Sequence, residues 1–95
     1  MLRVARHLRI FGTVQGVLYR ESMRQEAERF GVAGWVRNRF DGSVEALVQG
    51  TPQAIEAITE WCKHGPERAE VTRVEIAEAA PGSERFDSFM KFPTA

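Results

Sequence analysis

The sequence predicts an α+β fold of the ferredoxin-like kind: a βαββαβ sandwich with two helices on one face of an antiparallel sheet of four or five strands. Three observations predict it. Short apolar stretches alternating at a period of two recur along the chain. Two stretches repeat at a helical period instead, one after the first strand and one after the third. An Asp-Gly pair, Asp41-Gly42, marks a tight hairpin between the second and third strands. The 95 residues suffice for a single domain, 1–95, built on one core.

His7 to Phe11 is the first strand, with Leu8 and Ile10 on one face. A loop, Gly12 to Leu18, leads into a helix whose buried stripe is Tyr19, Met23, Ala27 and Phe30. Gly31 ends that helix as a left-handed cap. The second strand is Val32 to Arg39, with Val32, Gly34 and Val36 on one side. Beyond the hairpin, Val44 to Gln49 returns as the third. Thr51 caps the next helix and Pro52 opens it. Its stripe is Ile55, Ile58 and Cys62, widened by Ala54 and Trp61, and Gly65-Pro66 stops it. Val71 to Ala77 forms the fourth strand and Pro81-Gly82-Ser83 a loop. Phe86 to Phe92 offers a short fifth strand, with Phe86, Met90 and Phe92 as docking residues.

Composition excludes several classes of function. A hydrophobic share of 43% and a charged share of 27% belong to a globular domain. No apolar run approaches the roughly 18 residues of a membrane span. Met1 to Arg6 has no apolar stretch of signal-peptide length, and one cysteine forbids an internal disulfide. The cytoplasm is therefore the expected compartment, with no membrane partner. With 13 basic and 13 acidic residues the net charge is zero, which argues against nucleic acid as a partner. The RNA recognition motif shares this element order but needs base-stacking aromatics on its first and third strands, and Val44 to Gln49 has none.

The chemistry concentrates at Gly12-Thr13-Val14-Gln15-Gly16-Val17-Leu18-Tyr19-Arg20. A glycine-bearing loop between a strand and a helix aims unpaired backbone N–H groups at one point, and the helix dipole adds positive charge there. Such a point suits a phosphate. Arg20 falls in the first helical turn, where a cation opposes the dipole at a cost of roughly 0.3–1 kcal/mol. An anion shared with the loop amides offsets that cost, and a guanidinium grips two phosphate oxygens at once. A plain turn followed by a solvated arginine accounts for the same stretch without a ligand. The loop is not a Walker loop, lacking Gly-Lys-Ser/Thr, nor a dinucleotide fingerprint.

The stretch resembles the acylphosphatase signature G-x-V-Q-G-V-x-F-R. Further on, Gly34-Trp35-Val36-Arg37-Asn38-Arg39-Phe40-Asp41-Gly42-Ser43-Val44-Glu45 resembles that family's second signature, G-W-V-x-N-x-x-D-G-x-V-E. Gly65-Pro66-Glu67-Arg68-Ala69-Glu70-Val71 is similar to its G-P-x-x-A-x-V segment. The resemblance extends from His7 to Phe92. It implies a small, monomeric, cofactor-free hydrolase that needs no metal and cleaves the carboxyl–phosphate anhydride of acyl phosphates. Inorganic phosphate would be product and competitor. Arg20 matches the phosphate-binding arginine and Asn38 the asparagine that holds the attacking water. The backbone of Gln15, Gly16, Val17, Leu18 and Tyr19 matches the phosphate cradle. Tyr19 replaces the family's usual Phe, which should matter little. Arg39 stands where several relatives carry Thr and is expected to bear on charge or water contacts near the site.

An acyl phosphate has a good leaving group, so its hydrolysis needs charge stabilisation at phosphorus and an in-line water more than acid catalysis. The alternative function is a non-catalytic phosphate or carbamoyl-phosphate binding domain carrying the same signatures. Other reactive residue types read as structural. His7 and His64 lack a third ligand at metal spacing. Cys62 lies on an apolar stripe, Trp35 and Trp61 suit packing, and Asp41 suits the turn.

Overall fold

A computed structural model describes residues 3–79 and 84–95; the loop expected at Pro81-Gly82-Ser83 lies outside them. The elements are β1 (Val4–Thr13), α1 (Tyr19–Phe30), β2 (Ala33–Asn38), β3 (Val44–Gly50), α2 (Pro52–Cys62), β4 (Glu70–Glu78) and β5 (Phe89–Lys91). They form one five-stranded sheet in the order β4-β1-β3-β2-β5.

The first four strands pair antiparallel, while β5 pairs parallel to β2, with Gly34, Trp35 and Val36 opposite Phe89, Met90 and Lys91. The expectation of a wholly antiparallel sheet is therefore corrected at one edge, where the fifth strand pairs rather than merely docks. The docking residues change as well. Phe89 is the buried one, Met90 is exposed, and Phe92 stacks on Trp35 at 5.5 Å between ring centres. A parallel strand beside β2 keeps the parity that turns Phe89 inward, and Met90 outward.

β1 is longer than its alternation suggests. Leu8 and Ile10 face the helices and are fully buried. Arg6 shares their parity, and its guanidinium reaches Glu56 of α2 at 3.3 Å, so a charge hides the periodicity at that end. Inside, Tyr19, Met23 and Ala27 of α1 and Ile55, Ile58 and Cys62 of α2 close over Val36, Val44, Ala46 and Val48 of the sheet. The α2 cap is as the sequence indicates, with Thr51 Oγ1 accepting from the Ala54 amide at 3.2 Å.

Since β3 is antiparallel to both β1 and β2, those two run in the same direction, and β5 runs with them. The C-terminal ends of β1, β2 and β5 thus meet at one end of the sheet. The start of α1 follows directly from β1. Thr13, Asn38 and Lys91 are the last residues of their strands and converge there.

Gly34 makes this close pairing possible. Its φ is +135°, and a Cβ at this position would stand 1.9 Å from the Leu47 carbonyl oxygen of β3. Backbone cannot yield as a flexible side chain can. Gly34→Ala is expected to destabilise the fold by about 3 kcal/mol or more, read as a lower urea midpoint at unchanged slope. Loss of less than about 1 kcal/mol would show that β2 and β3 can shift apart freely.

Candidate active site

Between β1 and α1 the chain makes a tight loop. Gly16 has φ +75°, and Leu18, the residue before the helix, has φ +64° and ψ +25°. A left-handed leucine costs about 1–2 kcal/mol, so the surroundings must impose it. Its side chain is 76% exposed, so burial does not compensate. The conformation bends the chain just where the loop passes into α1. No side chain caps α1. The first helical bond runs from the Ser22 amide to the Leu18 carbonyl at 3.0 Å. Within the described residues, the amides of Gln15, Gly16, Val17, Leu18 and Tyr19 meet no acceptor. Donors left in that state at a helix start favour an anion.

The loop is tied down from outside. The Gln15 side-chain amide donates to the carbonyls of Arg39 at 2.7 Å and Ser43 at 2.8 Å, the two ends of the β2–β3 turn. One side chain therefore fixes the β1–α1 loop relative to Asn38. Val17 packs its side chain against the core. Asp41 closes the same turn, accepting from the Ser43 amide at 2.9 Å and its hydroxyl at 2.6 Å.

A pocket of about 250 Å³ opens at this end of the sheet, lined by Gln15, Gly16, Leu18, Tyr19, Arg20 and Asn38 along with Val14, Glu21 and Lys91. Arg20 donates from Nη1 to the Phe92 carbonyl at a long 3.4 Å. No carboxylate lies within ion-pair distance of it among the described residues. Its charge is therefore available to a ligand. Asn38 follows Val36 at a spacing of two and so points to the helix side of the sheet. Its Oδ1 is buried and has no hydrogen-bond partner among the described residues. An orphaned acceptor costs roughly 1–3 kcal/mol, an expense that a bound water or ligand removes.

The structure places the two residues that depart from the family's signatures. Arg39 does not line the pocket. It has the opposite parity to Asn38 and pairs with Glu45 on the outer face of the sheet at 3.3 Å. Glu45 also takes His7 at 2.6 Å and Arg37 at 2.7 Å. Burial raises the Glu45 pKa, but hydrogen bonds from His7 and Arg37 outweigh that and hold the carboxyl below its ordinary value. Tyr19, in turn, is more than a substitute for phenylalanine. Its buried hydroxyl donates to the Cys62 carbonyl at 2.7 Å, joining the first turn of α1 to the last of α2. Its ring tilts against Trp61 at 5.3 Å.

Other reactive groups stay outside the site. Burial pushes the Cys62 thiol up to about 12, which leaves it inert at neutral pH. Among the described residues no three His, Cys, Asp or Glu side chains cluster as a metal site would require. A second groove of about 370 Å³, between the helices, is lined by Ser22, Gln25, Arg29 and Trp61 and holds neither Arg20 nor Asn38. No helix among the described residues is long and apolar enough to cross a membrane.

With loop, arginine and asparagine in one pocket, the comparisons decide the family. The family model described as Acylphosphatase matches residues 6–91. The chain belongs to the acylphosphatase family. The acylphosphatase of Thiobacillus denitrificans is 64% identical over 72 residues, which is 76% of this chain and 81% of that protein. That of Thermococcus kodakarensis is 53% identical over 81 residues, 85% of this chain and 89% of that one. Among solved structures, the acylphosphatase from Coxiella burnetii superposes with a TM-score of 0.89 at 36% identity, over 95% of this chain and 93% of that chain. The chain is thus similar to stand-alone enzymes across nearly their full length.

The Tyr19 hydroxyl supplies a test of this packing. Tyr19→Phe leaves the Cys62 carbonyl without a partner and is expected to cost about 1–2 kcal/mol, several degrees in Tm for a domain of this size. An unchanged Tm would show that the hydroxyl contributes nothing.

Proposed function

We propose that the protein hydrolyses the carboxyl–phosphate anhydride of acyl phosphates, with Arg20 and the amides from Gln15 to Tyr19 holding the phosphoryl group and Asn38 positioning the attacking water. The observation that carries this reading is the buried, unpartnered Asn38 Oδ1 facing the same pocket as Arg20 and the uncapped loop. It supplies an acceptor for a water beside an anion site.

The step balances without an enzyme base. The water oxygen bonds to phosphorus as the bond from phosphorus to the acyl oxygen breaks. The carboxylate leaves with that bond pair, and the water proton passes to a phosphoryl oxygen. Asn38 accepts from the water and holds it in line, being far too weak a base to deprotonate it. The guanidinium and loop amides are fixed before reaction and stabilise charge on the equatorial oxygens. Protein groups alone meet these needs, so neither metal nor cofactor enters the proposal. Inorganic phosphate, the product, fits the same cradle and competes. A monomer acting in the cytoplasm completes the reading, and a free cysteine suits that reducing compartment.

The non-catalytic alternative is not favoured. Full-length HypF, solved in a phosphate- and nucleotide-bound form, superposes with a TM-score of 0.86, but this chain covers 12% of it. The stand-alone relatives match far more of their own length.

Benzoyl phosphate hydrolysis, run in EDTA with phosphate as competitor, tests the roles. Asn38→Ala is expected to lose about 10²–10³-fold in kcat while phosphate still inhibits, and Arg20→Gln to lose both turnover and phosphate inhibition. Between about pH 6 and 8 the wild-type kcat should be flat, since no enzyme group titrates in the step. A sharp single-group pH dependence would contradict the proton route. Phosphate binding without any turnover would restore the binding-domain reading.

A further inference from the structure

Lys91 is the second cation lining the pocket, and this mechanism leaves it without a task. It ends β5 and shares parity with Phe89, so its side chain leaves the sheet on the helix side. It stands opposite Val36, and Asn38 lies two residues further along the same face of β2. Strand spacing and rise place those two positions about 8 Å apart on the diagonal, within reach of an extended lysine across the pocket mouth. Lys91 and Asn38 line the same pocket as Arg20.

Its present partner does not require it. Lys91 Nζ meets Glu21 Oε1 at 3.0 Å. Both Glu21 oxygens already receive Arg24, from Nη2 at 2.6 Å and from Nε at 3.1 Å. Arg24 continues to Glu28 at 2.8 Å. Lys91 is the terminal cation of this chain of alternating charges. Swinging away leaves Glu21 paired with Arg24. Hydrogen bonds from Arg24 and then Lys91 hold the Glu21 carboxyl down at about 2, so it stays ionised either way. The lysine is 43% exposed, and ion pairs in that setting contribute little.

The charge balance of the bound substrate then decides what Lys91 meets. Arg20 and the loop amides take the phosphoryl group. The acyl group must extend from there toward the mouth. We propose that Lys91 is a specificity-determining residue, which exchanges Glu21 for an anionic group on the acyl part of the substrate. The preferred class is acyl phosphates carrying a second negative charge beyond the carbonyl. This rests on the function proposed above and names the substrate class for the same site.

Two substrates of matched size and rigidity separate charge from shape: 4-carboxybenzoyl phosphate and 4-methylbenzoyl phosphate, whose para groups cannot reach the anhydride. The readout is the ratio of their kcat/KM values, each corrected for spontaneous hydrolysis. The wild type is expected to favour the carboxy substrate about tenfold at low ionic strength, with the preference shrinking as salt rises. Lys91→Gln should abolish the preference and Lys91→Arg keep most of it. Glu21→Gln, which frees the lysine, should enlarge it. A wild-type ratio near one, or equal losses on both substrates in Lys91→Gln, overturns the assignment and leaves Lys91 a structural tie or a general phosphate cation. Failure of the wild type on both substrates overturns the hydrolase reading itself.

Discussion

The site depends on β3 standing between β1 and β2. With β3 antiparallel to both, β1 and β2 end on the same side of the sheet. The end of β1 delivers the glycine-bearing loop and the start of α1, and the end of β2 delivers Asn38. The approach of β2 to β3 in turn rests on Gly34, where any side chain would meet the Leu47 carbonyl. A backbone restriction in the middle of the sheet thereby sets the distance between the Gln15–Tyr19 loop and Asn38, the two parts of the proposed site.

Around that frame the loop is held by polar contacts as well as by the buried side chains of Val14 and Tyr19. Leu18 is left-handed and exposed, and α1 begins with no cap. Both features are unfavourable in isolation. Gln15 counters them from one side by bonding both ends of the β2–β3 turn. Tyr19 counters them from the other by anchoring in the core and against α2. The uncapped amides and the unpartnered Asn38 oxygen are polar groups that an anion and a water, as proposed, would satisfy.

The periodic elements were legible because each has one dry face. Leu8 and Ile10, Tyr19 and Met23, and Ile55 and Ile58 are all buried as their spacing indicates. Legibility failed where charge or shortness masked the pattern. Arg6 hid the start of β1 by reaching to Glu56. β5 has three residues, too few to show alternation, and its parallel pairing depends on contacts far away in sequence. Arg20 and Asn38 could be located from their motifs, and the structure brings them into one pocket. The outward turn of Arg39 follows from strand parity and was available in the sequence. The hydroxyl bond of Tyr19 and the approach of Lys91 to Glu21 were not, because each joins residues that meet only after folding.

The central claim is that the amides from Gln15 to Tyr19, together with Arg20, form the phosphate cradle. Titration of the ¹⁵N-labelled protein with inorganic phosphate tests it most directly. The account predicts saturable shifts concentrated on those amides, on the Arg20 side chain and on the Asn38 carboxamide, all following one Kd. Shifts confined to the groove between the helices, at Ser22, Arg29 and Trp61, or no saturable shift in the loop, would contradict it.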